Sequence, residues 1–149
     1  MLNYTYKLKG VVLMVKVIMG RKGSGKTKKI IDLVRKAIDE EHGNVICIEK
    51  GMNLRFDIPY QARLIQASDY SFGDTEFLKG FISGLRAGNY DITHIFIDGV
   101  LKLVSDTSTR NIESFLDWCE AFSEREKVKF TMTISEDIEL ATPGMKKYF

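Results

Sequence analysis

The stretch "VKVIMGRKGSGKT", Val15 to Thr27, decides the fold. Its second part, Gly20 to Thr27, matches the phosphate-binding pattern G-x-x-x-x-G-K-[ST] at every fixed position. Its first part belongs to a β-branched, apolar run, Val11 to Met19, which reads as a buried parallel strand. Beyond it, Ile30, Ile31, Leu33, Val34, Ala37 and Ile38 recur at helical spacing from Lys26 to about Glu41. A glycine-rich turn between a buried strand and a helix is the setting in which this pattern cradles phosphate. Gly20, Gly23 and Gly25 let the backbone turn tightly and approach an anion without Cβ clashes. Arg21, Lys22 and Ser24 occupy the variable positions, and successive N–H groups form an anion nest at the helix start. Lys26 is expected to reach the β- and γ-phosphates of ATP, and Thr27 to place its hydroxyl on Mg²⁺.

Working outward, "HGN" (His42 to Asn44) supplies a helix stop, and "NVICIE" (Asn44 to Glu49) reads as a second buried strand. Lys50 to Ala62 is irregular, and "ARLIQA" (Ala62 to Ala67) reads as a third strand. The spacing predicts a helix from Thr75 to about Ala87, in which Gly80 and Gly84 are expected to allow close packing on the sheet. "HIFID" (His94 to Asp98) is a further strand and Arg110 to about Glu126 an amphipathic helix. That helix turns Ile112, Phe115, Leu116, Cys119 and Phe122 inward, and "KFTMTIS" (Lys129 to Ser135) is the last strand. Strands alternating with helices point to an α/β fold with three layers, α/β/α, and a mainly parallel sheet of about five strands.

At 149 residues the chain is read as one domain, residues 14–149, behind a short leader. Met14 is expected to be the natural start and residues 1–13 an extension; alternatively Val11 to Leu13 lengthen the first strand. A net charge of +2 is too small to support a nucleic-acid partner, and no stretch has transmembrane length. Two cysteines, Cys47 and Cys119, cannot build a disulfide framework or a metal cluster, so both are read as reduced core residues in the cytoplasm. "ATPGMKKYF" at the C-terminus is read as a docked cap, with a protein-binding tail as the alternative.

Carboxylates at strand ends are the remaining chemistry. Asp98 closes an apolar strand downstream of the loop and is expected to hold Mg²⁺. Gly99 follows it, so the adjacent position offers no water-activating glutamate. Glu49 and Glu136 end two other strands on the edge of a parallel sheet where ligands bind, and are the candidates for that role. In "NLRFDIPYQAR", Arg55 and Arg63 offer cations, and Phe56 and Tyr60 offer rings to stack on a base; a plain surface crossover explains the stretch equally well.

This chain order resembles the recombinase (RecA-like) branch of P-loop NTPases, over roughly Val15 to Asp137. The resemblance implies that Glu49 is the catalytic glutamate, that Asp98 binds the metal, and that Ser135 at the end of "TMTIS" senses the γ-phosphate, with Glu136 beside it. Neither the DNA-binding loops nor the extra C-terminal strands of that branch are found, so recombination is not expected. The whole chain also resembles small uncharacterised bacterial ATP-binding proteins, some labelled twitching-motility ATPases. The expected function is ATP and Mg²⁺ binding with slow hydrolysis serving a nucleotide switch. The alternatives are a nucleotide-binding module without significant hydrolysis, and a small-molecule kinase.

Overall fold

The computed structural model describes residues 14–149. The expected leader, and with it the start at Met14 and the extension Val11 to Leu13, lies outside the described residues. Strands β1 (Val15–Gly20), β2 (Asn44–Glu49), β3 (Ala62–Gln66), β4 (Ile92–Asp98) and β5 (Lys129–Ser135) form one sheet in the order β1-β5-β4-β2-β3. Every pairing in it is parallel. Among the described residues four helices accompany it: α1 (Lys26–Glu40), α2 (Thr75–Gly88), α3 (Thr109–Glu126) and the single turn α4 (Pro143–Lys146).

The period-two alternation of the strands sorts the helices into layers. Ile46 and Ile48 of β2, Ile95 and Ile97 of β4, and Phe130, Met132 and Ile134 of β5 pack with α2, α3 and α4 in one core. The intervening residues Val45, Cys47 and Phe96 pack on the other face with Ile30, Val34 and Ala37 of α1 and with Leu54 and Ile58. The result is the expected three-layer α/β/α fold. This alternation also puts Glu49, Asp98, Thr133 and Ser135 on the α1 face of their strands, at the end where the phosphate-type loop lies.

Element boundaries follow the sequence reading closely. β4 starts earlier than expected, at Ile92, because Asn44 pairs there, with Thr93 as an extra residue on β4 before His94 meets Val45. Gly80 and Gly84 do not bring α2 closer to the sheet: a Cβ built at either meets nothing within 4 Å. The helix packs through Leu78 and Ile82 instead, both fully buried. At the C-terminus Tyr148 is buried, and its carbonyl accepts from Val17 N at 2.7 Å on the outer edge of β1. The tail is therefore a docked cap. Cys47 and Cys119 are free and buried as expected, and burial pushes the Cys47 thiol up to about 12. Among the described residues no helix is long and apolar enough to cross a membrane.

Candidate nucleotide site

The loop after β1 is built for close backbone approach. Gly23 and Gly25 adopt φ of 85° and 89°, the left-handed region that side chains disfavour. Gly25 is the N-cap of α1 and gives it no side-chain hydrogen bond, and the first turn of α1 carries no acidic residue. The other three α-helices are capped: Asp74 accepts from Phe77 N, Ser108 from Asn111 N, and Thr142 from Met145 N. The N–H groups that open a helix have no intrahelical partner. At α1 they and the helix dipole face the loop unsatisfied by any side chain, an arrangement that favours an anion.

Lys26 turns back into this loop. Its Nζ donates to the Arg21 carbonyl at 2.8 Å and lies 3.4 Å from Ser24 Oγ. Burial lowers the proton affinity of this ammonium, the negative charge of Asp98 raises it, and the positive charge of Lys102 lowers it again. Thr27 Oγ1 is 3.4 Å from Asp98 Oδ2, across 71 residues of sequence. The structure thus brings Lys26, Thr27 and Asp98 together. Arg21 reaches from the loop to the end of β5, where its guanidinium donates to Asp137 Oδ2. The Glu139 N–H and then this guanidinium hold the Asp137 carboxyl below the usual range. Lys22 is exposed on the loop, with Gly23 and Ser24 beside it.

Glu49 and Asp98 are register partners on neighbouring strands. Glu49 is nevertheless buried, 4% exposed, and its carboxylate accepts from Asn53 N at 3.1 Å and Leu54 N at 3.0 Å. It anchors the crossover that follows β2. Ser135 pairs in register with Gly20, the first residue of the loop, and is exposed. Glu136 is exposed, and its carboxylate accepts from its neighbour Asp137 N at 3.0 Å. Phe56 and Tyr60 are 85% and 92% exposed, and the Arg55 guanidinium stacks over Phe56 rather than reaching the loop.

A cavity of about 400 Å³ opens beside the loop, lined by Met19, Arg21, Lys26, Lys29, Asp137 and Ile138. A larger one, of about 890 Å³, runs along β3 and α2 and contains none of the loop residues.

No family model and no curated protein matches the chain. Site residues must therefore be read from geometry, and geometry adds two that sequence reasoning missed. Thr133, 1% exposed, donates to Asp98 Oδ1 at 2.8 Å and accepts from Gly99 N at 2.7 Å. Its signal was available: Thr131, Thr133 and Ser135 alternate with Phe130, Met132 and Ile134, so one face of a buried strand is hydroxylated. Lys102 follows Gly99 on a 3₁₀ turn, Val100–Lys102, and nothing in the sequence marks it. Among the described residues no group of three or more His, Cys, Asp or Glu gathers as a metal cage. The oxygens of Thr27 and Asp98 are instead the sparse, hard donor set that suits Mg²⁺, which takes its remaining ligands from water and phosphate.

Proposed function

We propose that the protein binds a nucleoside triphosphate, ATP, together with Mg²⁺, and hydrolyses it slowly as a nucleotide switch of the P-loop NTPase kind. One observation carries the reading: α1 opens without a side-chain cap, and its first two residues, Lys26 and Thr27, face Asp98 at the end of β4. An uncapped helix start with a lysine in its mouth and a hydroxyl–carboxylate pair beside it suits a phosphate chain and its counter-ion.

In this reading the loop N–H groups and Lys26 hold the β- and γ-phosphates, and Thr27 and Asp98 hold the ion, which screens phosphate charge when bound. Thr133 fixes the orientation of the Asp98 carboxylate. Ser135, in register with Gly20, takes the γ-phosphate contact, a role its nearness to the start of the loop supports. The cavity lined by Met19, Lys29 and Ile138 is the place for the nucleoside. The order β1-β5-β4, with a strand inserted between the loop strand and the Asp98 strand, supports the recombinase-like assignment. Two free cysteines and a nucleotide substrate support a cytoplasmic setting.

A second reading, a nucleotide-binding module without significant hydrolysis, is favoured by the hydrogen bonds at Glu49. Both of its oxygens are already engaged by backbone N–H groups. A carboxylate keeps further lone pairs, so orienting a water through them is open to Glu49 only if the crossover leaves them accessible.

Calorimetric titration of ATP with Mg²⁺ into the parent and Lys26→Ala proteins tests the common ground. Loss of one charge-assisted phosphate contact, roughly 1.5–3 kcal/mol, weakens affinity about ten- to hundredfold. Equal affinity in a folded Lys26→Ala protein removes the loop from the argument.

A further inference from the structure

A third cavity, of about 430 Å³, lies across the sheet edge from the loop, lined by Lys50, Ser68, Tyr70, Phe72, Lys102 and Ser105. It is built from segments that leave the C-terminal ends of three strands. Lys50 follows β2, Ser68 follows β3, and Lys102 ends the 3₁₀ turn after β4. This is the edge of a parallel sheet at which ligands collect.

The walls are fixed. Ser68 N donates to the Lys50 carbonyl at 2.9 Å, and Ser105 N to the Gly73 carbonyl at 2.8 Å. Phe72 packs on Phe77 and Phe81 of α2, with ring centroids 5.0 and 4.8 Å apart, and Tyr70 meets Phe81 at 5.6 Å. Within this frame stand two ammonium groups. Neither Lys50 nor Lys102 belongs to an ion pair among the described residues. The stem of Lys102 lies back over Gly99, where a Cβ would meet its Cδ at 3.3 Å. Its charge reaches Lys26, whose proton affinity it lowers. Lys102 therefore stands between the cavity and the loop.

We propose that this cavity is a second ligand site, for a small molecule that joins an anionic head group, a phosphate monoester or a carboxylate, to a flat apolar body. Lys50 and Lys102 take the head group, the Ser68 and Ser105 hydroxyls add hydrogen bonds, and Tyr70 and Phe72 flank the body. Its partnership with a nucleotide rests on the function proposed above; the anion site itself does not.

Phenyl phosphate and benzoate, each titrated into three proteins and followed by the aromatic NMR signals of Tyr70 and Phe72, test the proposal. The proteins are the parent saturated with Mg²⁺ and a non-hydrolysable ATP analogue, Lys26→Ala, and the double variant Lys50→Ala/Lys102→Ala. Saturable binding in the first two is expected. In the double variant at least one probe should bind about tenfold more weakly or worse, since two charge-assisted contacts are gone. The tighter probe in the parent assigns the head group. Loss of binding in Lys26→Ala places the probe on the loop and overturns the proposal, as does unchanged binding in a folded double variant or no binding of either probe to any protein. Failure of the ATP analogue to bind, with probe binding intact in Lys26→Ala, sinks the nucleotide reading and leaves the second site standing.

Discussion

Asp98 has its two carboxylate oxygens committed to different partners: Oδ1 to the Thr133 hydroxyl, Oδ2 towards Thr27. Replacing it with asparagine keeps the size and removes the charge that attracts a cation. Asp98→Asn should therefore weaken ATP binding in Mg²⁺ about tenfold or more and binding in chelator much less, at roughly 1.5–3 kcal/mol for a charged contact. Equal weakening in both titrations makes Asp98 a structural residue. Thr133 acts at one remove, as a positioning residue. Thr133→Val leaves the Gly99 N–H buried without an acceptor and frees the carboxylate to turn, which should cost about 1–3 kcal/mol of stability. It should also lower the Mg²⁺-dependent share of ATP affinity, while Thr133→Ser restores both. A Thr133→Val protein with lowered melting temperature but parental metal dependence limits this residue to holding the strands together. Lys26, Thr27 and Asp98 were legible as types at fixed positions. Thr133 was not singled out, because a threonine in a strand is ordinary on propensity grounds and only the sheet order shows what it faces.

At the scale of elements, the crossover from Lys50 to Gln61 depends on the strand before it. Glu49 accepts from Asn53 N and Leu54 N, and Leu54 and Ile58 then close the apolar layer over α1. The sequence showed a strand ending in glutamate; it could not show that the next residues fold back onto that carboxylate. Strand and helix boundaries were readable because apolar period and turn residues coincide, as at "HGN" and in "KFTMTIS". The contact between Arg21 and Asp137, 116 residues apart, has no local signature. Glu49→Gln tests what the anchor does. An amide presents one acceptor and one donor where two N–H groups point, so about 1–3 kcal/mol of stability should be lost. If Glu49 also orients water, turnover falls while the folded fraction keeps its ATP affinity, and Glu136→Gln turns over at the parental rate. A Glu49→Gln protein that is less stable but hydrolyses normally leaves Glu49 with the anchor alone.

For the whole molecule, the far end of the sheet carries a polar cluster of its own. His94 Nε2 meets Thr131 Oγ1 at 2.9 Å, its Nδ1 lies 3.4 Å from Glu41 Oε2, and Lys129 pairs with the same carboxylate. Burial pushes His94 down to about 4, against the opposing charge of Glu41. Burial raises the Glu41 carboxyl, but the hydrogen bond and the charge of Lys129 bring it below its usual value. Well above pH 6.5 His94 is neutral folded and unfolded, and it adds no pH dependence. Between 6.5 and about 4 the unfolded chain takes up a proton that the folded chain refuses, so stability falls with pH through that window. The loss approaches about 3 kcal/mol at its lower end. Urea melts from pH 7 to 4 should show this slope in the parent and a flatter one in His94→Gln, whose amide nitrogen can still meet Thr131. Parallel slopes assign the acid sensitivity to other groups, Glu41 first among them.

The hydrogen bond from Val17 N to the Tyr148 carbonyl has a mechanical side. The last residues are fastened to the strand that runs straight into the phosphate-type loop, three positions before Gly20. A load hung on the C-terminus thus pulls on the edge of β1 and, through the Tyr148 hydroxyl on Asp117, on α3 at the same residue. Anything fused or tethered there has a lever on the loop, and peeling Tyr148 from Val17 would slacken the strand that sets the loop's position.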